Sequence, residues 1–195
     1  MGAIELRIED LLLDAANPRF AGGNSQRDIL QKVLDDQQDK LYALAESIAD
    51  DGMNPMDRLL VLRAEADKTK FVALEGNRRV AALKILLNPH LLTGLDLKSS
   101  LQKRFEKLAP TFDRAQVEPI ACFEVLDRET GASWILLRHT GENEGRGVVS
   151  WSGIAASRFR GSDPALQALD FVKEKATLPR KRRIFSKATT IRLQH

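Results

Sequence analysis

The stretch that most constrains the fold is Phe71 to Leu87. A short apolar run, F-V-A-L, meets Glu75 and Gly76 and continues as N-R-R-V-A-A-L-K-I-L-L. The run reads as a strand, and the glycine as a sharp turn. Beyond it, Val80, Ala81, Leu83, Leu86 and Leu87 recur at the spacing of a buried helical face. Arg78 and Arg79 then fall in the first helical turn, where free N–H groups make the helix end partly positive. Two readings follow. An anion such as a phosphate joins them, held by helix N–H groups and guanidinium forks together. Or the arginines face solvent and pair with Glu75 and other carboxylates.

A strand, E-G-N-R-R and an alanine-rich helix resemble the central motif of the ParB/sulfiredoxin superfamily, which reads G-E-R-R in partition ParB proteins and G-C-H-R in sulfiredoxins. The resemblance implies that Gly76, Asn77, Arg78 and Arg79 hold nucleotide phosphates. Asn77 stands where sulfiredoxins carry their reactive cysteine. An amide forms none of the thiol-based intermediates of that chemistry, so a sulfiredoxin-type reductase is not expected.

The chain has 195 residues, 43% of them hydrophobic and 29% charged. That suits one domain with an appendage and a sizeable core. One cysteine excludes an internal disulfide framework and fits a reducing compartment, so a cytoplasmic protein is expected. No apolar run approaches the roughly 18 residues that span a bilayer, and no membrane partner is expected. The start, M-G-A-I-E-L-R-I-E-D, lacks the order of a signal peptide, and Leu6 stands where a lipidation signal needs serine or threonine. The net charge of +3 is uneven: eight Lys or Arg and one Glu lie from Lys173 onward, leaving 22 basic and 26 acidic residues in the body. The basic character belongs to the tail.

Ile4, Leu6 and Ile8 alternate with polar residues, as in a half-buried strand. Asn17-Pro18 marks a turn; Arg19 after it is a surface arginine or, by the N-P-R loop of the resembling family, a nucleotide contact. Ser25 caps a helix carrying Ile29, Leu30, Val33 and Leu34. The polar stretch Asp35 to Lys40 separates it from a second helix with Leu41, Leu44, Ala45, Ile48 and Ala49, ended by Gly52. Its L-A-E-S-I-A-D-D-G-M-N-P resembles the ParB L-A-x-S-I…G-x-x-x-P segment. Leu59 to Arg63 is the next strand, with a hairpin-like turn at Glu65 to Lys70. Ser99 to Ala109 reads as a helix with Leu101, Phe105 and Leu108 inward. Val117 to Val125 is a strand region, and its Cys122 is read as buried and inert.

Glu129 to Arg138 reads as a helix, followed by H-T-G-E-N-E-G-R-G. Its glycines, Gly141, Gly145 and Gly147, can wrap a ligand or form an ordinary loop, and it is neither a Walker motif nor G-x-G-x-x-G. Glu142, Asn143 and Arg146 resemble the E-N-x-x-R segment of ParB proteins. The resemblance places Glu142 and Asn143 on a metal and Gly141 and Arg146 on the nucleotide, with Glu142 orienting metal and water. A carboxylate and an amide oxygen suit magnesium, and an arginine suits phosphate. Ser150-Trp151-Ser152 opens a helix through Arg160, and Asp163-Pro164 opens another to about Lys175. The run Arg180, Lys181, Arg182 and Arg183 contacts nucleic-acid phosphates or forms a solvated linker. In the resembling family a helical, often DNA-binding region follows, so the chain is expected to be a fragment or a minimal member.

The expected architecture is α/β or α+β, a small mixed sheet flanked by helices. Residues 1–161 would form the ParB/sulfiredoxin-like nucleotide-binding domain, and 162–195 a helical, basic C-terminal extension. The resemblance implies Mg2+ and a nucleoside triphosphate, CTP or ATP, slow hydrolysis as a weak triphosphatase, DNA as partner, a homodimer, and a switch in partition, DNA modification or defence. Two other classes stand beside it: a nuclease or DNA-processing enzyme, and a DNA- or protein-binding module with a vestigial nucleotide site.

Overall fold

The computed structural model describes residues 1–19, 22–161 and 164–175. Five strands form one mixed sheet: β1 (Gly2–Leu6), β2 (Leu11–Leu13), β3 (Leu59–Arg63), β4 (Phe71–Glu75) and β5 (Ile120–Val125). Their spatial order is β1-β5-β3-β4-β2. The pairs β1·β5 and β3·β4 are antiparallel, whereas β3·β5 and β2·β4 are parallel. The helices are α1 (Gln26–Asp51), α2 (Asn77–Leu87), α3 (Ser99–Leu108) and α4 (Arg128–His139), then α5 (Gly153–Arg160) and α6 (Pro164–Lys175). This is the expected α+β class: a small mixed sheet with helices.

Side-chain alternation along the strands builds two cores. Leu59 and Val61, Phe71 and Ala73, and Ile120 and Cys122 join Ile29, Leu41, Leu83 and Phe105 of α1, α2 and α3 in the main one. The intervening Leu60, Leu74 and Val125 face the other way and meet Ile135 of α4. Helix α4 comes close because Gly131 faces the sheet: a Cβ there would lie 3.0 Å from Leu74 and 3.2 Å from Leu60.

One local reading is sharpened and one element is added. The stretch Asp35 to Lys40 does divide two helices, and the division is a single residue, Gln38, which adopts φ 37° and ψ −115°. The apolar faces on either side are both buried, and a one-residue kink realigns them. Leu11 to Leu13 forms the parallel edge strand β2, which three leucines without alternation did not mark. Capping is as the sequence indicates at Ser25, whose side chain accepts from the Asp28 N–H at 3.1 Å.

The described residues divide into two compact units, with the boundary between Gly147 and Val148. Helix α5, capped by Ser152 through the Ala155 N–H, belongs to the second and buries none of its residues. Asp163 and the run Arg180 to Arg183 lie outside the described residues. No helix among those described is long and apolar enough to cross a membrane.

Candidate functional site

The end of β4 and the start of α2 meet at Gly76, with φ 97°. A Cβ there would lie 2.2 Å from Leu59 Cδ2, so the turn needs glycine both for its backbone and for its space. The helix opens with Val80 N–H bonded to the Gly76 carbonyl. Among the described residues, no group accepts from the N–H of Asn77, Arg78 or Arg79.

The four motif residues do four different things. Gly76 makes the turn. Asn77 is 4% exposed, and its amide is used at both ends: Nδ2 donates to the Ala73 carbonyl at 2.6 Å and Oδ1 accepts from the Asp14 N–H at 2.8 Å. Its side chain is a brace between the middle of β4 and the residue that follows β2. Arg79 donates to the Asp57 carbonyl and, at 3.4 Å, to Glu75. Burial pulls its guanidinium below its ordinary pKa, against the opposing pull of the Asp57 and Glu75 carboxylates. Arg78 is half-buried, and the partner the geometry gives it is a neutral one, Gln37 Oε1 at 3.1 Å.

Glu75 gathers the surrounding basic side chains. Besides Arg79 it takes Arg138 Nε at 3.6 Å and His139 Nε2 at 2.9 Å. Arg138 also pairs with the Asp57 carboxylate. The last turn of α4 is thereby fastened beside the first turn of α2. Its first turn is fastened too: Arg128 makes a bidentate pair with Asp14, 2.7 Å at each end, and Asp14 is 2% exposed. The hydrogen bond to Asp14 raises the Arg128 guanidinium above its ordinary pKa. Arg19 reaches toward Asp36 at 3.9 Å, with both side chains largely exposed.

The His139–Gly147 segment therefore begins at Glu75, next to the turn. Its fold is closed on itself. The N–H groups of Gly145 and Gly147 both donate to the Glu142 carbonyl at 2.8 Å. Gly141 and Gly145 take positive φ, as do Asn143 and Glu144. Asn143 Nδ2 donates to Thr140 Oγ1 and the Gly141 carbonyl, and its Oδ1 has no donor among the described residues. Arg146 bonds the Asn143 carbonyl at 3.4 Å and pairs with Glu144 at 3.6 Å. The Glu142 carboxylate is exposed and has no partner among the described residues. Two oxygen donors fit magnesium chemically, provided phosphate and water complete the shell. Among the described residues no cluster of three or more His, Cys, Asp or Glu could hold an ion by itself.

Sequence reading missed Asp14, Gln37, Asp57, Arg128 and Arg138. One local signal existed: Arg128, like Arg78 and Arg79, is a cation in a first helical turn and so calls for an anion. Which anion, 114 residues away in sequence, is invisible without the fold. Neither a family model nor a curated protein matches the chain.

Proposed function

We propose that this chain is a nucleotide-binding domain that takes a nucleoside triphosphate, CTP or ATP, at the start of α2 and acts as a switch in a DNA-associated process in the cytoplasm. One observation carries the reading. Four cations stand in first α-helical turns; Arg128 and Arg79 are matched by the internal carboxylates of Asp14 and Glu75, Arg27 donates to the Thr93 carbonyl at a helix start that Ser25 caps, and Arg78, at a start with no side-chain cap, has neutral Gln37 as its partner. Uncommitted N–H groups beside an arginine without a carboxylate suit a phosphate. The order of three ParB-like motifs supports the same reading. Arg19 and Arg146, both exposed, would close over the remaining phosphates. Gly141 would let the loop backbone approach, and Glu142 and Asn143 would hold magnesium, which supplies charge neutralisation for the phosphate oxygens. Glu142 would orient water for slow hydrolysis, a step that needs mainly positioning and charge compensation. A homodimer and DNA binding through Arg180, Lys181, Arg182 and Arg183 belong to the same proposal.

A second reading is a binding module whose nucleotide turn is vestigial. It is favoured by Arg79, two of whose donors are already engaged by the Asp57 carbonyl and Glu75.

Calorimetric titration of CTP, ATP, GTP and UTP, with and without magnesium, separates them. The first reading expects binding of one nucleotide, weakened in Arg78→Ala by roughly 1.5–3 kcal/mol, the range for charge-assisted hydrogen bonds. Absence of binding by all four overturns it.

A further inference from the structure

The three segments proposed to surround the triphosphate come from distant parts of the chain. They are the turn carrying Arg19, the Gly76–Arg79 turn, and α4 with the loop that follows it. One buried carboxylate connects all three. Asp14 directly follows β2. Its N–H donates to Asn77 Oδ1 at 2.8 Å, and Asn77 in turn holds the Ala73 carbonyl in the middle of β4. Its Oδ1 accepts from the Ala16 N–H at 3.0 Å, and its carbonyl from the Asn17 N–H at 3.2 Å; Asn17 Oδ1 then accepts from the Arg19 N–H. Both carboxylate oxygens take the fork of Arg128, at the first position of α4. The other end of the same helix reaches Glu75 through His139.

A buried carboxylate keeps its charge only when it is paired and hydrogen-bonded. Asp14 is both, and its planar bidentate partner fixes orientation as well as distance. Both carboxylate oxygens are engaged within the protein. We propose that Asp14 and Arg128 are positioning residues of the candidate nucleotide site: they hold the Arg19 turn and α4 in register with the start of α2, and so preorganise groups that no single element carries. This rests on the nucleotide reading for its binding consequence. The mechanical coupling itself can be measured without a ligand.

The test uses the full chain with Arg128→Gln and Arg128→Lys. The glutamine variant leaves the carboxylate without a cation. The lysine variant keeps a cation against it, which protects folding, but loses the fork. Amide hydrogen exchange is read without nucleotide, and magnesium-CTP and magnesium-ATP are titrated separately. Exchange is expected to quicken at the hydrogen-bonded amides of the two turns, Asp14, Ala16 and Asn17 in one and Val80 in the other, in both variants, with β1 and β5 unchanged. Nucleotide affinity is expected to fall about 10-fold or more in Arg128→Gln and by less in Arg128→Lys, as for other groups that act by orienting a binding residue. Wild-type exchange at the two turns, or a uniform change across the sheet, overturns the proposal, as does undiminished affinity in a folded variant. If the wild-type chain binds neither nucleotide, the functional reading falls and the exchange pattern alone decides the coupling.

Discussion

Asn77 offers the sharpest test of how the central turn is built. It is buried and bridges two main-chain groups, so its replacement is felt on both sides. In Asn77→Ala the Asp14 N–H loses its acceptor in a dry site, which costs about 1–3 kcal/mol. The lost packing adds about 1 kcal/mol. Together these predict a loss of roughly 2–4 kcal/mol, read as a shift of the urea midpoint at unchanged slope. Asn77→Asp preserves size and the acceptor for Asp14 but turns the donor facing the Ala73 carbonyl into an oxygen. A protonated carboxyl can still donate there; a carboxylate cannot. The folded state therefore holds the new carboxyl above its ordinary pKa. The sign follows: stability close to wild type below the usual carboxylate range, lost as pH rises through the raised value. Unfolding at pH 4 and pH 8 should show Asn77→Asp falling away from wild type only at the higher pH. An Asn77→Ala variant within about 0.5 kcal/mol of wild type, the span of an ordinary surface change, would refute the bracing role.

Two other expectations concern the sheet. Burial pushes the Cys122 thiol up from 9.0 to about 12, so it should resist alkylation at pH 8 until the chain unfolds. The unfolded chain releases that proton earlier than the native one, so stability should fall as pH rises from about 9 toward 12, a trend that Cys122→Ser removes. Gly131→Val places branched carbon where Leu74 and Leu60 already lie within 3.2 Å of a Cβ. It should cost about 1–3 kcal/mol by overpacking and weaken the seating of α4, seen as loss of the edge-on Phe123–Trp134 ring contact in tryptophan fluorescence.

Elements with a strong period were legible in the chain. The alternation in β1 and the 3.6-residue spacing in α2 and α3 named their own buried faces, because periodicity reports which side of an element meets apolar neighbours. Gly76 was legible as a turn because so few residues fit one. The short strand β2 was not: three leucines have no alternation, and only pairing with β4 makes them a strand. The division of α1 was legible in the polar run Asp35 to Lys40, but its narrowing to one kinked residue, Gln38, was not, because composition carries no backbone angle.

The anomaly of cations at helix starts was also sequence information, resting on the direction of the backbone dipole. What answers each cation was decided by tertiary structure alone. Asp14 reaches Arg128 across 114 residues, and Glu75 collects Arg79, Arg138 and His139, because sheet order brings the ends of β2 and β4 and both ends of α4 together. Charge pairing depends on distance in space, and distance in space is set by the packing of the whole core.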